Sequence, residues 1–342
     1  MFQAARLFFG ECCLSYLGSS SGYSGSSFAS VESSGGRWLL RRWPAGFEAG
    51  LLDFAHRSLA ESRARGFEGV PRLASTDDGR TILELAGCLY DAQEFLPGRP
   101  LSPTRPGEGG PVPNVAVRLS RGRLRGLSEA IARFHRSTRR LAPEPDWEVI
   151  PLPQRLGELE AETDRCRATL LDGAQERAGG EERETALRWL ELLPRALAAA
   201  RGASEEPPGG RGGRVLCHGD LWPAHVHFDG DTFVGLVDFE SLVFAPPTLD
   251  LAQLVGHFGG WGAREVVLDA YSRIAPLGER CRAALPTEVV ADLAMEGFWS
   301  LRALYGQPPA DTTPVQREAH ALNLGVLLKC FEEAYQEAKA QG

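Results

Sequence analysis

Lysine is almost missing from this chain. Of 37 basic side chains in 342 residues, only Lys329 and Lys339 are lysines. A Gly-Lys-Ser/Thr phosphate loop needs a lysine in its turn, so P-loop nucleotidases are excluded. Schiff-base chemistry is nearly excluded, because both lysines lie in a stretch that reads as a terminal helix. The seven cysteines, at 12, 13, 88, 166, 217, 281 and 330, are odd in number and show no Cys-x-x-Cys spacing. This speaks against a disulfide framework or a zinc ribbon and for reduced thiols in a cytoplasm. No stretch approaches the ~20 apolar residues of a membrane span. The apolar start is interrupted at Glu11 and lacks a clean small-residue cleavage site, so it reads as mature protein. A net charge of −8 leaves no general basic surface, and neither nucleic acid nor an anionic membrane is expected as a partner.

What is present is an ordinary globular composition, 43% hydrophobic and 24% charged, on a chain long enough for two lobes. Residues 16–30 form a Gly/Ser-rich loop that leads into strand-like segments at 28–32 and 38–41, separated by Gly35-Gly36. Apolar spacing over 48–65 predicts an amphipathic helix. Further strands are expected at 70–73, 81–85 and 88–95, so residues 1–95 read as a small, mostly β domain. Beyond a Pro/Gly-rich loop at 102–114 the texture is helical, in segments at 115–139, 154–171, 181–201, 248–258, 262–274, 287–305 and 315–340. The larger domain is therefore 96–342. One strongly β-like stretch interrupts it, running from Arg214 to Val237 around an Asp229-Gly230 turn.

The densest polar constellation lies in that stretch: His218, Gly219, Asp220, His225, His227 and Asp238. The turn folds two strands into a hairpin, which is expected to bring the 218–225 loop and Asp238 to one end of the ribbon. A carboxylate at each strand end can hold Mg²⁺ and accept a proton. His-x-Asp and His-x-His spacings also allow a zinc hydrolase using His218, Asp220, His225 and His227. That reading leaves the glycine loop and Arg41 without a role.

The run His218-Gly219-Asp220-Leu221-Trp222-Pro223-Ala224-His225 resembles the catalytic loop of the aminoglycoside phosphotransferase and choline kinase family. In that family the pattern is His-Gly-Asp-Leu-x-x-x-Asn. Leu236-Val237-Asp238-Phe239-Glu240 resembles its metal motif, and Pro247-x-x-Asp250-Leu251-Ala252 its Pro-x-x-Asp-Leu-Ala. The resemblance, over roughly residues 15–305, implies a two-lobed α+β protein-kinase-like fold with a β-rich nucleotide-binding lobe and a larger helical lobe. It implies ATP-dependent phosphoryl transfer to a small-molecule hydroxyl in the cytoplasm. Asp220 would be the catalytic base, with His218 beside it, and Asp238 would hold the metal together with His225. The loop at Gly22, Ser24, Gly25 and Ser26 would cover the phosphates, and Arg41 would contact them. The backbone at Glu94 and Leu96 would bind the adenine.

Three departures stand beside the match. His225 replaces the family's Asn, and imidazole suits Mn²⁺ or Zn²⁺ better than Mg²⁺. Arg41 stands where a lysine is usual. No helix Glu is evident to pair it, with only Glu48 and Glu61 near the expected turn. These departures make a nucleotide-binding pseudokinase the alternative. The arginines between 118 and 140 read as a solvated helix face. The aromatics Trp222, Phe258, Trp261, Phe298, Trp299 and Tyr305 read as core, with an acceptor pocket as the other option.

Overall fold

A computed structural model describes residues 1–19, 25–101, 115–141, 151–203, 213–306 and 314–341. In chain order the elements begin with α1 (Phe2–Phe9), β1 (Cys13–Ser19), β2 (Ser27–Ser33), β3 (Gly36–Arg42) and α2 (Ala49–Ala64). Then come β4 (Leu83–Leu85), β5 (Cys88–Glu94), β6 (Arg99–Pro100), α3 (Arg121–Thr138), α4 (Leu152–Arg177) and α5 (Gly180–Ala203). They are followed by β7 (Val215–Cys217), β8 (Val226–Asp229), β9 (Thr232–Leu236), β10 (Val243–Ala245) and α6 (Thr248–Gln253). The chain closes with α7 (Arg264–Ile274), α8 (Glu279–Tyr305) and α9 (Pro314–Gln341). It is an α+β protein with a β-rich region and a larger helical region. It divides into two compact units, residues 1–111 with 226–240, and 112–225 with 241–342.

In the first unit an antiparallel sheet runs in the order β1-β2-β3-β5-β4. Its two faces follow from the period of two along each strand. Trp38 and Leu40 of β3 and Cys88, Tyr90 and Ala92 of β5 join Ala29 and Val31 on one face. There they meet Ala4, Ala5 and Phe8 of α1. The other face carries Leu89 against Trp43 and Leu52 of α2. Arg41 and Asp91 are register partners across β3 and β5 and share that second face. The hairpin β8-β9 belongs to this unit and extends β6 into a three-stranded sheet.

β1 runs into the stretch that reads as a Gly/Ser loop from residue 16, because Tyr16, Gly18 and Ser19 find ladder partners on β2. Segment 70–73 contributes only a bridge from Leu73 to Gln93, since Pro71 cannot donate to a ladder. α1 and β10 had no counterpart in the sequence reading.

In the second unit α3 starts on Ser120, whose hydroxyl accepts from Arg123 N–H. It buries Leu124, Leu127, Ile131, Phe134 and His135, while Arg121, Arg125, Arg133, Arg136, Arg139 and Arg140 are exposed. The arginine run is thus the solvent face of an amphipathic helix. The predicted 115–139 helix begins only at 121, because residues 117 and 119 instead donate to the carbonyls of His257 and Phe258. Trp222, Phe258, Trp261, Phe298 and Tyr305 are buried core, and Trp299 is exposed. Each fully buried side chain of this kind contributes about 1.5–3 kcal/mol. Among the described residues no helix is long and apolar enough to cross a membrane.

Candidate functional site

In the first unit the alternation of β3 turns Arg41 toward α2, where it is buried. A buried charge needs partners. Arg41 Nε donates to Ser26 Oγ at 3.1 Å. Nη1 lies 3.6 Å from Asp238 Oδ1, and Nη2 pairs with Glu240. The guanidinium also lies 3.7 Å from the Trp43 ring centroid and 5.1 Å from that of Phe28, a cation–π sandwich. Burial lowers the Arg41 pKa, and Asp238 and Asp91 oppose the shift. Asp238 itself has a left-handed backbone, φ 66°. Such a conformation costs a non-glycine residue about 1–3 kcal/mol and clusters at functional sites.

Glu61 does not reach Arg41; it pairs with Arg65 on its own helix. The residue that α2 directs at this face is His56, whose Nε2 lies 3.4 Å from Asp91 Oδ2. Asp91 is wholly buried and also accepts from Trp43 Nε1 at 2.7 Å and Gln93 Nε2 at 3.0 Å. Burial pushes its pKa up, but His56, Arg41 and Gln93 together hold it below the ordinary carboxylate value. The carboxylates on Arg41 thus come from positions 238 and 240.

At the end of β5, Glu94 is gripped bidentately by Arg72 at 2.7 and 2.8 Å. Its amide donates to Arg72 O and that of Phe95 to Arg37 O. Leu96 is half-buried beside them. Gly98 has φ +78°, and a Cβ there would collide with the Phe228 carbonyl. Gly25 and Ser26 enter β2; Gly22 and Ser24 lie outside the described residues.

In the second unit the loop 218–225 follows β7, which pairs with β10. Asp250 accepts from the amides of His218 at 2.8 Å and Gly219 at 3.0 Å. His135 Nε2 lies 2.9 Å from the same carboxylate, and His135 Nδ1 lies 2.7 Å from Tyr271 Oη. Burial pushes Asp250 up, but His135, His218 and the Gly219 amide outweigh it and lower its pKa. Gln253 accepts from Leu221 N–H at 2.9 Å and donates to Gly219 O at 3.0 Å. Gly219 has φ +79°, and a Cβ there would strike the Ser241 carbonyl. His135, Cys217 and Asp250 are close enough to bind a metal. Burial raises the Cys217 thiol well above its ordinary value, and both His135 nitrogens are already engaged by Asp250 and Tyr271.

His218 is wholly buried, and its Nδ1 accepts from Asp220 N–H at 3.4 Å. His225 Nδ1 donates to the Asp220 carbonyl at 2.8 Å and closes the loop. With Nδ1 committed, a metal would have to meet His225 at Nε2. The Asp220 carboxylate is half-exposed and lines a cavity of about 180 Å³ with Arg155, Leu159, Asp292, Met295 and Glu296. Arg155 is paired with Glu288 at 3.1 Å. Burial, reinforced by Asp292 and Asp220, raises Glu296 to about 8, against His257.

Gln253, His257 and His135 did not emerge from the sequence as functional candidates, and Glu240 emerged only as part of the metal motif, not as a partner of Arg41. The signal for two of them was there: 250, 253 and 257 are polar positions at i, i+3 and i+7 in an otherwise apolar helix.

A family model described as "Phosphotransferase enzyme family" matches residues 16–284. Among curated proteins no sequence matches. Among solved structures, an aminoglycoside phosphotransferase from Alicyclobacillus acidocaldarius aligns with TM-score 0.65 at 18% identity, covering 92% of this chain and 90% of its own. A microcompartment-associated aminopropanol kinase aligns with TM-score 0.62 at 18% identity, covering 100% and 98%. A spectinomycin phosphotransferase, in complex with ADP and spectinomycin, aligns with TM-score 0.60 at 12% identity, covering 99% and 96%. At these identities the likeness is one of fold.

Proposed function

The chain belongs to the phosphotransferase enzyme family, and from that premise we propose that it transfers the γ-phosphoryl group of ATP to a hydroxyl of a small molecule. The observation that carries this reading is Asp220. Its carboxylate lines the cavity of the helical unit, while the backbone beneath it is tied to Asp250 and Gln253. A base held this way can orient a hydroxyl in the cavity and take its proton as the oxygen bonds to phosphorus and the bond to ADP breaks. Little else is asked of the protein than positioning and charge stabilisation. His218 supports Asp220 through its amide.

Nucleotide binding falls to the first unit. Arg41 is a permanent cation whose fork suits phosphate, and the backbone amides of Gly25 and Ser26 would serve the same task. The Glu94 side chain and the Glu94 and Phe95 amides are committed to Arg72 and Arg37. Adenine would therefore be read by the Glu94 carbonyl and the backbone of Leu96. The ADP in the spectinomycin phosphotransferase supports a nucleotide in this fold, and the named substrates of that enzyme and of the aminopropanol kinase support a small acceptor. A divalent ion would neutralise phosphate charge. The Asp238 carboxylate is a hard donor that fits Mg²⁺, and the His225 imidazole fits Mn²⁺ better.

A second reading, nucleotide binding without turnover, is favoured by one observation. Arg41 engages Asp238 and Glu240, the carboxylates on the metal motif. The test is phosphate transfer from γ-labelled ATP to a panel of hydroxyl-bearing metabolites, with Mg²⁺ or Mn²⁺. Label transfer that requires Asp220 supports the kinase. Tight nucleotide binding with no transfer to any acceptor supports the second reading.

A further inference from the structure

Three side chains from one stretch of chain grasp the backbone around Asp220. Asp250 holds the amides of His218 and Gly219, and Gln253 holds the Leu221 amide and the Gly219 carbonyl. The third is His257, whose Nδ1 lies 2.8 Å from the Leu221 carbonyl. His257 sits in a π-helical turn, Leu254–Gly259, closed by Gly260 N–H on Val255 O at 2.7 Å. Such turns are rare and recur at functional sites. The wide turn keeps position 257 on the side of the helix that faces the loop.

We propose that His257 is a positioning residue for phosphoryl transfer. It fixes the Leu221–Trp222 peptide, one residue beyond Asp220, and ties it, through Asp292, to the α8 wall of the acceptor cavity. The proposal rests on the reading of Asp220 as the base. A carbonyl only accepts, so His257 Nδ1 carries a proton. Nε2 lies 3.3 Å from Asp292 Oδ2, which also only accepts when ionised. Nε2 and Asp292 Oδ2 face each other at ion-pair distance with no other hydrogen-bond partner among the described residues, so a proton on Nε2 would make the ring an imidazolium paired with Asp292. The ring is wholly buried and stacked on Trp222, with centroids 4.0 Å apart and planes at 15°.

The groups around the ring are Asp292 and Glu296 from α8 and Trp222 and Leu221 from the loop, while the Arg118 guanidinium, ahead of α3, donates to the neighbouring Gly256 carbonyl at 3.2 Å. Burial lowers the pKa of the ring, but Asp292, with Glu296 and the Leu221 carbonyl, raises it to about 9. Asp292 lines the cavity as well. One carboxylate thus faces the acceptor on one side and charges the loop's clamp on the other.

The test compares the full-length wild type with His257→Leu, His257→Gln and Asp292→Asn. Amide hydrogen exchange is read over 218–225, together with ATP hydrolysis in Mg²⁺ with water as acceptor. In His257→Leu, exchange of the loop is expected to rise at least about tenfold and kcat to fall about tenfold, with KM for ATP unchanged. His257→Gln keeps an N–H for the Leu221 carbonyl and is expected to recover most of both losses. A merely structural role would move KM and global protection together and give Gln no advantage over Leu.

Trp222 supplies a second readout, taken as the difference in fluorescence between the wild type and Trp222→Phe. It is expected to titrate near pH 9 in the wild type and at least about one unit lower in Asp292→Asn. This readout also decides the matter should His257→Leu fail to fold. Unchanged loop exchange in a folded His257→Leu, no rescue by Gln, or a titration that Asp292→Asn leaves in place overturns the proposal. A wild type that neither hydrolyses ATP nor transfers phosphate defeats the kinase reading, while exchange still decides whether His257 holds the loop.

Discussion

Arg41 in the β-rich unit and Asp220 in the helical unit are held by different kinds of bond. Arg41 is held by side chains: Ser26, Asp238, Glu240 and the rings of Trp43 and Phe28. Asp220 is held through its backbone, by Asp250 and Gln253 on neighbouring peptides and by His225 on its own carbonyl. Side-chain partners can be exchanged by rotating a few torsions, so on the proposed reading phosphate oxygens would take the place of the carboxylates on Arg41. A loop tied through its peptides can move only if several buried hydrogen bonds break together, each leaving an unsatisfied group that costs about 1–3 kcal/mol. The first arrangement suits a group that must release and rebind a nucleotide. The second suits a base that must stay in place.

The largest expected effect tests the rigid side. Asp220→Asn is expected to lower transfer by about 10²–10⁴-fold, with nucleotide affinity nearly unchanged. Steady-state kinetics beside calorimetric nucleotide binding checks this, and a variant that keeps most of its kcat removes Asp220 from the chemistry.

Asp250→Asn removes half of the clamp and is expected to cost about 1–3 kcal/mol at pH 7, read from denaturant unfolding. The pKa of Asp250 is depressed in the folded protein. Its contribution is therefore present above the unfolded carboxylate value of about 3.9 and is lost as pH falls through the folded value. The gap between wild type and variant is expected to close in that acid range. A gap that stays constant to pH 3 would deny the carboxylate its role.

On the exchangeable side, Asp238→Ala is expected to weaken nucleotide binding in Mg²⁺ by about tenfold, or ~1.4 kcal/mol, and to leave metal-free binding nearly intact. Equal metal dependence in both proteins would place the ion elsewhere. The smallest effect is expected from His225→Asn, a few-fold shift in preference from Mn²⁺ toward Mg²⁺. An unchanged metal profile would leave His225 with only its hydrogen bond to the Asp220 carbonyl.

The sequence alone determined the elements whose signal is local. The β8-β9 hairpin lies where Asp229-Gly230 fixes the turn, and α2, α5 and α7 lie within a few residues of their apolar periodicity. The order of His218-Gly219-Asp220, Asp238 and Asp250 was likewise enough to mark the family. Tertiary structure decided what depends on partners distant in the chain. β1 is a strand because β2 pairs with it, although its residues from 16 on read as a loop. The first six residues of the 115–139 helix are lost, with residues 117 and 119 donating to the carbonyls at 257 and 258. The carboxylates on Arg41 come from about 200 residues downstream rather than from α2, and His56 is spent on Asp91. His257 reads as one more core residue until its two nitrogens meet Leu221 and Asp292. The physical reason is the same each time. Periodicity and turn chemistry act over a few residues, whereas a buried charge or an open backbone group takes whatever partner the folded chain brings to it.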